Sequence, residues 1–168
     1  VKIKQTKEIS QLQKWTELTF DEIIFDSDCC DWRQQNSTFD ERVFGKQNLI
    51  FLIEDDKGNK FGGFISSKIN KKDEWISDSN SFIFNFVNEN VLKYPIKNNN
   101  QVMKIERQWT NILFTIGSGD IVMKKLENKT SCIYKHSLFE YNTKQNTTFE
   151  VKKFVVVQME MSSYKQRN

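Results

Sequence analysis

The residues best suited to chemistry in this chain are Cys29-Cys30, the pair Cys132 and His136, a short acidic run, two glycine turns and several lysine clusters. A vicinal pair such as Cys29-Cys30 could sense redox state, because an exposed thiolate of low pKa reacts with peroxide. Its neighbours Asp26, Asp28 and Asp31 are acidic, however, and nearby negative charge raises a thiol pKa. Cys132-x3-His136 has zinc-ligand residue types but lacks the paired Cys-x2-Cys spacing of strong sites, and His136 is the only histidine. We therefore expect no metal and no cofactor. The run Asp26-Ser27-Asp28-Cys29-Cys30-Asp31 resembles a calcium loop only in part: Asp31 stands where such a loop needs Gly, and Ser37 where it needs Glu. Gly117-Ser118-Gly119-Asp120 lacks the third glycine and following helix of a dinucleotide site and reads as a β-turn. Asp55-Asp56 falls in turn sequence, where both carboxylates are expected to be solvated, not tuned for acid–base work. No catalytic constellation emerges.

The lysines are the remaining functional signal. Lys124-Lys125 and Lys152-Lys153 lie in strand-like sequence, with further basic residues at 68–72, 93–107 and 165–167. Lysines beside stacking aromatics are what a phosphate backbone requires, so nucleic-acid binding through Lys124, Lys125, Lys152 and Lys153 is one alternative. The bland alternative is a set of solvated faces and blunted strand edges, since acidic residues are nearly as numerous. The net charge is only +3.

The elements that must position these residues are mostly strands. Ile9, Leu12, Trp15 and Leu18 form one helical stripe over residues 6–18, which Thr6 or Ser10 could cap; it reads as a packing helix at the domain edge or as the last turns of an upstream coiled coil. Glu22-Ile23-Ile24-Phe25 reads as a short strand. Thr38-Phe39-Asp40-Glu41 has the pattern of a capping box, and Gly45 suits the helix stop. Leu49-Ile50-Phe51-Leu52-Ile53 is apolar throughout, as a strand covered on both faces must be. Turn chemistry follows at residues 55–59, then the returning strand Lys60-Phe61-Gly62-Gly63-Phe64-Ile65. Two adjacent glycines weaken a strand, so they imply a bulge or a close backbone crossing. Residues 81–87 alternate, with three Phe on one face and Asn85 on the other. Further strands are expected at 101–106, 111–116, 120–126, 131–134 and 150–160, and Pro95 suits an edge. The pattern predicts a mostly β (α+β) domain, a two-sheet antiparallel β-sandwich with two short helices near the N-terminus.

Length and composition agree with one domain. The 168 residues include 13% aromatics, fourteen of them Phe, enough ring surface for a real core despite a modest 38% hydrophobic content. Three cysteines, two of them adjacent, make a poor disulfide framework and point to an intracellular, cytoplasmic protein, with the nucleus as an alternative. No apolar run reaches the roughly 18–20 residues of a membrane span. The first residue is Val1, not Met, so the sequence is expected to be part of a longer protein.

In order and spacing, Ile24-Phe25-Asp26-Ser27-Asp28, Leu49-Ile50-Phe51-Leu52-Ile53, Gly58-Asn59-Lys60-Phe61-Gly62-Gly63-Phe64, the Ser-Phe-Ile-Phe of residues 81–84, Ile116-Gly117-Ser118-Gly119-Asp120-Ile121 and the closing strand at 149–159 resemble the TLDc domain. The resemblance spans residues 20–160, between an N-terminal helix at 1–19 and a polar tail at 161–168. Its motif residues are Gly58, Phe61, Gly62, Gly63, Gly117, Gly119 and Asp120. Cys29-Cys30-Asp31-Trp32 departs from the glycine-led acidic loop common in the family, and the chain looks like the divergent protist branch with an upstream coiled coil. The resemblance implies a β-sandwich and a non-enzymatic role in oxidative-stress resistance. For several members it implies a protein partner, the V-type proton ATPase. It brings no catalytic residues with it. Nucleic-acid binding through the lysines and redox sensing through Cys29 and Cys30 stand as the alternatives.

Overall fold

The computed structural model describes residues 6–87, 90–135 and 146–162. Helix α1 (Lys7–Thr16) is followed by β1 (Thr19–Asp26), α2 (Phe39–Val43), β2 (Leu49–Asp55), β3 (Lys60–Ile65), β4 (Trp75–Ile76) and β5 (Phe82–Val87). Then come β6 (Asn90–Pro95), β7 (Met103–Ile105), β8 (Ile112–Ile116), β9 (Ile121–Lys124), a 3-10 segment (Leu126–Ser131), β10 (Cys132–Lys135), β11 (Asn146–Phe149) and β12 (Val151–Glu160). The strands form two six-stranded antiparallel sheets. Sheet A has the order β1-β12-β2-β3-β5-β6 and sheet B the order β11-β10-β9-β8-β7-β4. This is the expected sandwich, with α1 and α2 in the N-terminal part.

The apolar run of β2 is covered on both faces, as its sequence requires. Leu49, Phe51 and Ile53 enter the core between the sheets, whereas Ile50 and Leu52 join a second cluster on the outer face of sheet A. Aromatic contacts dominate the inter-sheet core: Phe39 stacks on Phe114 at 5.2 Å, Phe25 on Phe154 at 5.0 Å, and Phe61 meets Phe149 edge-on at 5.1 Å. Such offset and edge contacts are the favoured arrangements of ring quadrupoles. The alternation of β5 also holds. Its outward Phe82, Phe84 and Phe86 belong to the second cluster, and Ile83 and the fully buried Asn85 share the opposite face.

That second cluster seats α1 as a packing helix on the outer face of sheet A. Leu12 is buried there, and Trp15 packs edge-on against Phe82 at 5.9 Å and parallel to Phe86 at 6.4 Å. Thr6, not Ser10, caps the helix by accepting from the Ile9 amide at 3.2 Å. A capping box does not form at α2. The Thr38 hydroxyl is engaged by the Asp31 carbonyl and by Arg42, and the Ser37 hydroxyl accepts from the Phe39 amide instead. Phe39 and Val43 are buried as expected, and Gly45 follows the helix at φ 81°. Strands β4, β6 and β11 were not legible in the sequence. Pro95 closes β6, the terminal strand of sheet A, an edge position that needs no ladder donor.

Candidate interaction surface

One side chain organises the loops beyond β1, β7 and β9. Lys125 follows β9 directly and is 2% exposed. Its Nζ donates to the carbonyl oxygens of Gln34 at 3.1 Å and Arg107 at 3.3 Å, and to that of Gln108. Desolvation lowers its pKa, opposed by the charges of Asp40 and Glu127. Burial likewise raises the pKa of Asp40, against the pull of Lys72 and Lys125. An ammonium is costly to bury, and three carbonyl acceptors are what make it tolerable. The consequence is mechanical: one cation ties the segment around Gln34 to the segment around Gln108.

Further bonds close the same joint. The Gln34 amide donates to both Glu127 carboxylate oxygens at 2.9 and 3.0 Å, and Gln34 Nε2 donates to the Trp109 carbonyl at 2.8 Å. Gln108 Nε2 donates to the Gln35 carbonyl at 3.2 Å. Beneath them Trp32 is buried edge-on against Phe154 at 5.2 Å, and its Nε1 donates to the Ser27 carbonyl at 3.2 Å. The loops are thereby fixed to the core. Above them Trp109 is 65% exposed, the most exposed large hydrophobic residue among the described residues, and Arg107 lies over its ring at 5.2 Å. Arg107 also pairs with Asp73. Arg33 chelates Asp31, with its Nη2 2.6 Å from Oδ2, and holds that carboxyl down at a pKa of about 2. Arg33, Gln34, Gln35, Asn36 and Glu127 line a shallow hollow of about 370 Å³.

A rigid platform presenting a tryptophan and arginines can bury an aromatic anchor in a partner; it places no nucleophile beside a base. Comparison with known families matches the TLDc domain over residues 33–162, most of the chain. The chain belongs to the TLDc domain family. A search of curated proteins finds no match.

The TLDc match begins after β1, yet β1 is integral to sheet A here, pairing with β12 from Thr19↔Glu160 to Asp26↔Val155. The glycines of the hairpin and of the turn at 117–119 shape the backbone. A Cβ on Gly62 would lie 1.7 Å from the Phe51 carbonyl oxygen, and one on Gly63 would lie 3.2 Å from Ile116 of the facing sheet. The close backbone approach expected from the pair is therefore present at Gly62, whereas Gly63 makes room for a side chain of the facing sheet. Gly117 and Gly119 turn at φ 67° and 105°, Gly58 at 84°, and Phe61 is fully buried. Asp120 pairs with Lys135 at 3.1 Å, and burial raises its pKa against that pairing.

Several expectations need correction. Lys125 is buried, so it cannot offer its ammonium to a phosphate, and its neighbour Lys124 stands without it. Lys152 pairs with Glu54 at 3.6 Å and Lys153 with Asp28 at 2.8 Å, both on β12 of sheet A, whereas Lys124 ends β9 of sheet B. Of the four lysines, one is therefore buried and two are held in ion pairs. Asp55 is also not solvated: at 1% exposure it accepts from the Lys57 and Asn59 amides and from Asn59 Nδ2, holding the hairpin turn shut. Cys29 is exposed and Cys30 half-buried. Partial desolvation, then Cys30 and Asp26, raises the Cys29 thiol pKa, the wrong direction for a peroxide-reactive thiolate. His136 lies outside the described residues. Among the described residues, no group of three or more His, Cys, Asp or Glu is placed to hold a metal, and no helix is long and apolar enough to cross a membrane.

Sequence reasoning missed Asp78. It is 6% exposed and accepts from the amides of Ser66, Ser67 and Asn80 and from the Ser66 hydroxyl, at 2.6–3.0 Å. Asp78-Ser79-Asn80-Ser81 could have signalled a local Asx turn, but nothing nearby in sequence points to Ser66. Trp109 was missed as an exposed anchor for the same reason: exposure is a tertiary property.

Proposed function

We propose that this TLDc domain is a non-enzymatic docking module, acting inside the cell in oxidative-stress resistance or in regulation of the V-type proton ATPase. Its partner is a protein, engaged through the Trp109 platform. TLDc domains are generally considered non-catalytic, and the proton ATPase is the partner that the family resemblance implies.

The observation that carries the reading is Trp109, 65% exposed and stacked with Arg107 on loops locked from below by Lys125. Trp and Arg dominate binding hot spots because they bring large area and directional bonds at low entropic cost. A preordered platform also avoids most of the cost of ordering loops on association. The nucleic-acid alternative has no comparable support, since its four lysines are buried, paired or separated. Affinity capture from cell lysate tests the proposal, using the wild-type chain beside Trp109→Ala. We expect proton-ATPase subunits on the wild type and a loss of about thirtyfold in affinity for the variant, the effect of a hot spot near 2 kcal/mol. Recovery of no such subunit, or equal recovery by both chains, overturns the reading.

A further inference from the structure

We propose that the outer edge of β1 is a strand-addition site for a short extended segment of a partner protein that carries lysine or arginine. Among the described residues, β1 is the terminal strand of sheet A, paired with β12 along one edge only. A groove of about 360 Å³ runs along the other edge, lined by every residue from 20 to 26 and bounded by Cys29, Cys30 and Arg42. Side chains alternate faces along a strand, so a groove touching seven consecutive residues is walled by the backbone itself.

The polar groups of that edge are met by side chains and, at its end, by the following turn, where the Asp26 carbonyl accepts from the Cys29 and Cys30 amides at 3.2 and 2.8 Å; no strand pairs there among the described residues. The Phe20 amide donates to Gln13 Oε1 at 3.0 Å, the Ile24 carbonyl accepts from Arg42 Nη1 at 3.5 Å, and the Asp26 amide reaches Cys30 Sγ at 3.5 Å. The last two are long, and sulfur is a weak acceptor. An incoming backbone at about 2.9 Å would replace each with a better bond, the mode by which extended peptides join sheet edges.

Charge selects the occupant. Asp21 and Glu22 are exposed on β1, and Asp26 also lines the groove but pairs with Lys153 at 3.8 Å; Arg42 is the cation of the lining, so Asp21 and Glu22 carry the selectivity. Such an edge repels a second copy of itself while admitting a basic segment, so one device both blocks self-association and sets specificity. The register shifts between Phe20 and Glu22 and between Ile23 and Phe25 bend the strand. Between those shifts the regularly paired runs are 19–20, 22–23 and 25–26, so an added segment must follow a bent path. The site uses no residue of the Trp109 platform and stands or falls apart from it.

The test is fluorescence anisotropy of a labelled octapeptide of alternating Lys and Val, titrated with the full chain. Saturable binding is expected in the range of roughly 10–100 μM. Reversing charge with Asp21→Lys and Glu22→Lys together should weaken it by about tenfold or more, with circular dichroism confirming the fold. Two further peptides carry N-methyl groups on one or the other alternating set of backbone nitrogens. One of the two should fail to bind, because it lacks the donors facing β1, although its charge is intact. Trp109→Ala should leave binding unchanged, which separates this site from the docking platform. No saturation by about 1 mM, indifference to charge reversal, or equal binding by all three peptides overturns the proposal.

Discussion

Replacing Lys125 with methionine keeps an unbranched apolar stem out to Cε, with sulfur in place of Cδ, and removes the ammonium. The Gln34, Arg107 and Gln108 carbonyls then lose a shared charged donor. Hydrogen bonds to charged groups contribute about 1.5–3 kcal/mol each. Two effects reduce that sum: the variant no longer desolvates an ammonium, which costs several kcal/mol, and loop carbonyls can recover some bonding from water. The balance is a destabilisation of about 2–4 kcal/mol, because deleting one partner orphans the others whereas replacing a whole network need not. For a domain of this size that lowers Tm by about 4–16 °C. Differential scanning calorimetry gives the shift, and hydrogen exchange locates it. Amides near Gln34 and Gln108 should exchange faster, and those of β2 and β3 should change little until global unfolding. The pH dependence carries a sign as well. Because burial lowers the Lys125 pKa, the unfolded chain binds more protons between the folded value and 10.5, so this group makes stability rise with pH across that alkaline window. The methionine variant should lose that increment. A variant as stable as the wild type, or one whose loop amides exchange unchanged, would refute the account of Lys125 as the tie between the loops.

Gly62→Ala should be far more damaging than Gly63→Ala. The first sets a methyl 1.7 Å from a backbone oxygen, which cannot yield, whereas the second meets the movable end of Ile116 at 3.2 Å. We expect failure to fold or a loss above about 4 kcal/mol for Gly62→Ala and about 1–3 kcal/mol for Gly63→Ala, read by urea unfolding; the reverse order would sink the crossing argument. Cys29 should react slowly with iodoacetamide at neutral pH and faster only in alkali, in line with its raised thiol pKa; rapid modification at pH 7 would restore the redox alternative. Cys132, buried with its pKa pushed up to about 11, should resist modification until the chain unfolds. Its folded pKa exceeds the unfolded value of 9.0, so its contribution is present below pH 9 and fades between 9 and 11; Cys132→Ala should flatten that alkaline loss in a Tm–pH series. Asp31 behaves oppositely: its folded pKa of about 2 lies below the unfolded 3.8, so its contribution holds above pH 3.8 and is lost as pH falls toward 2. Asp31→Asn should remove that acid-side slope, and an unchanged slope would show that the Arg33 pair matters little.

Sequence alone determined the parts of this TLDc domain whose causes are local. The β2 run is apolar at every position because both faces are covered, and that could be read without knowing what covers them. The hairpin at 55–65 announces itself through turn chemistry, and Gly62-Gly63 through the absence of side chains where backbones crowd. The outcome for charged residues was not local. Lys125 is chemically indistinguishable from Lys124 in sequence, yet one turn of the chain past β9 puts it under loops that begin some 20 and 90 residues earlier, where three carbonyls converge. Asp55 is the exception: its partners are the amides two and four residues on, a local Asx-type turn that sequence could have signalled. Short strands such as Trp75–Ile76 have no period to detect and exist only because Lys104 and Met103 offer a ladder. Burial of apolar residues follows from their own hydration, so sequence reveals it. Burial of a charge depends on which acceptors arrive from elsewhere, so only the folded chain decides it.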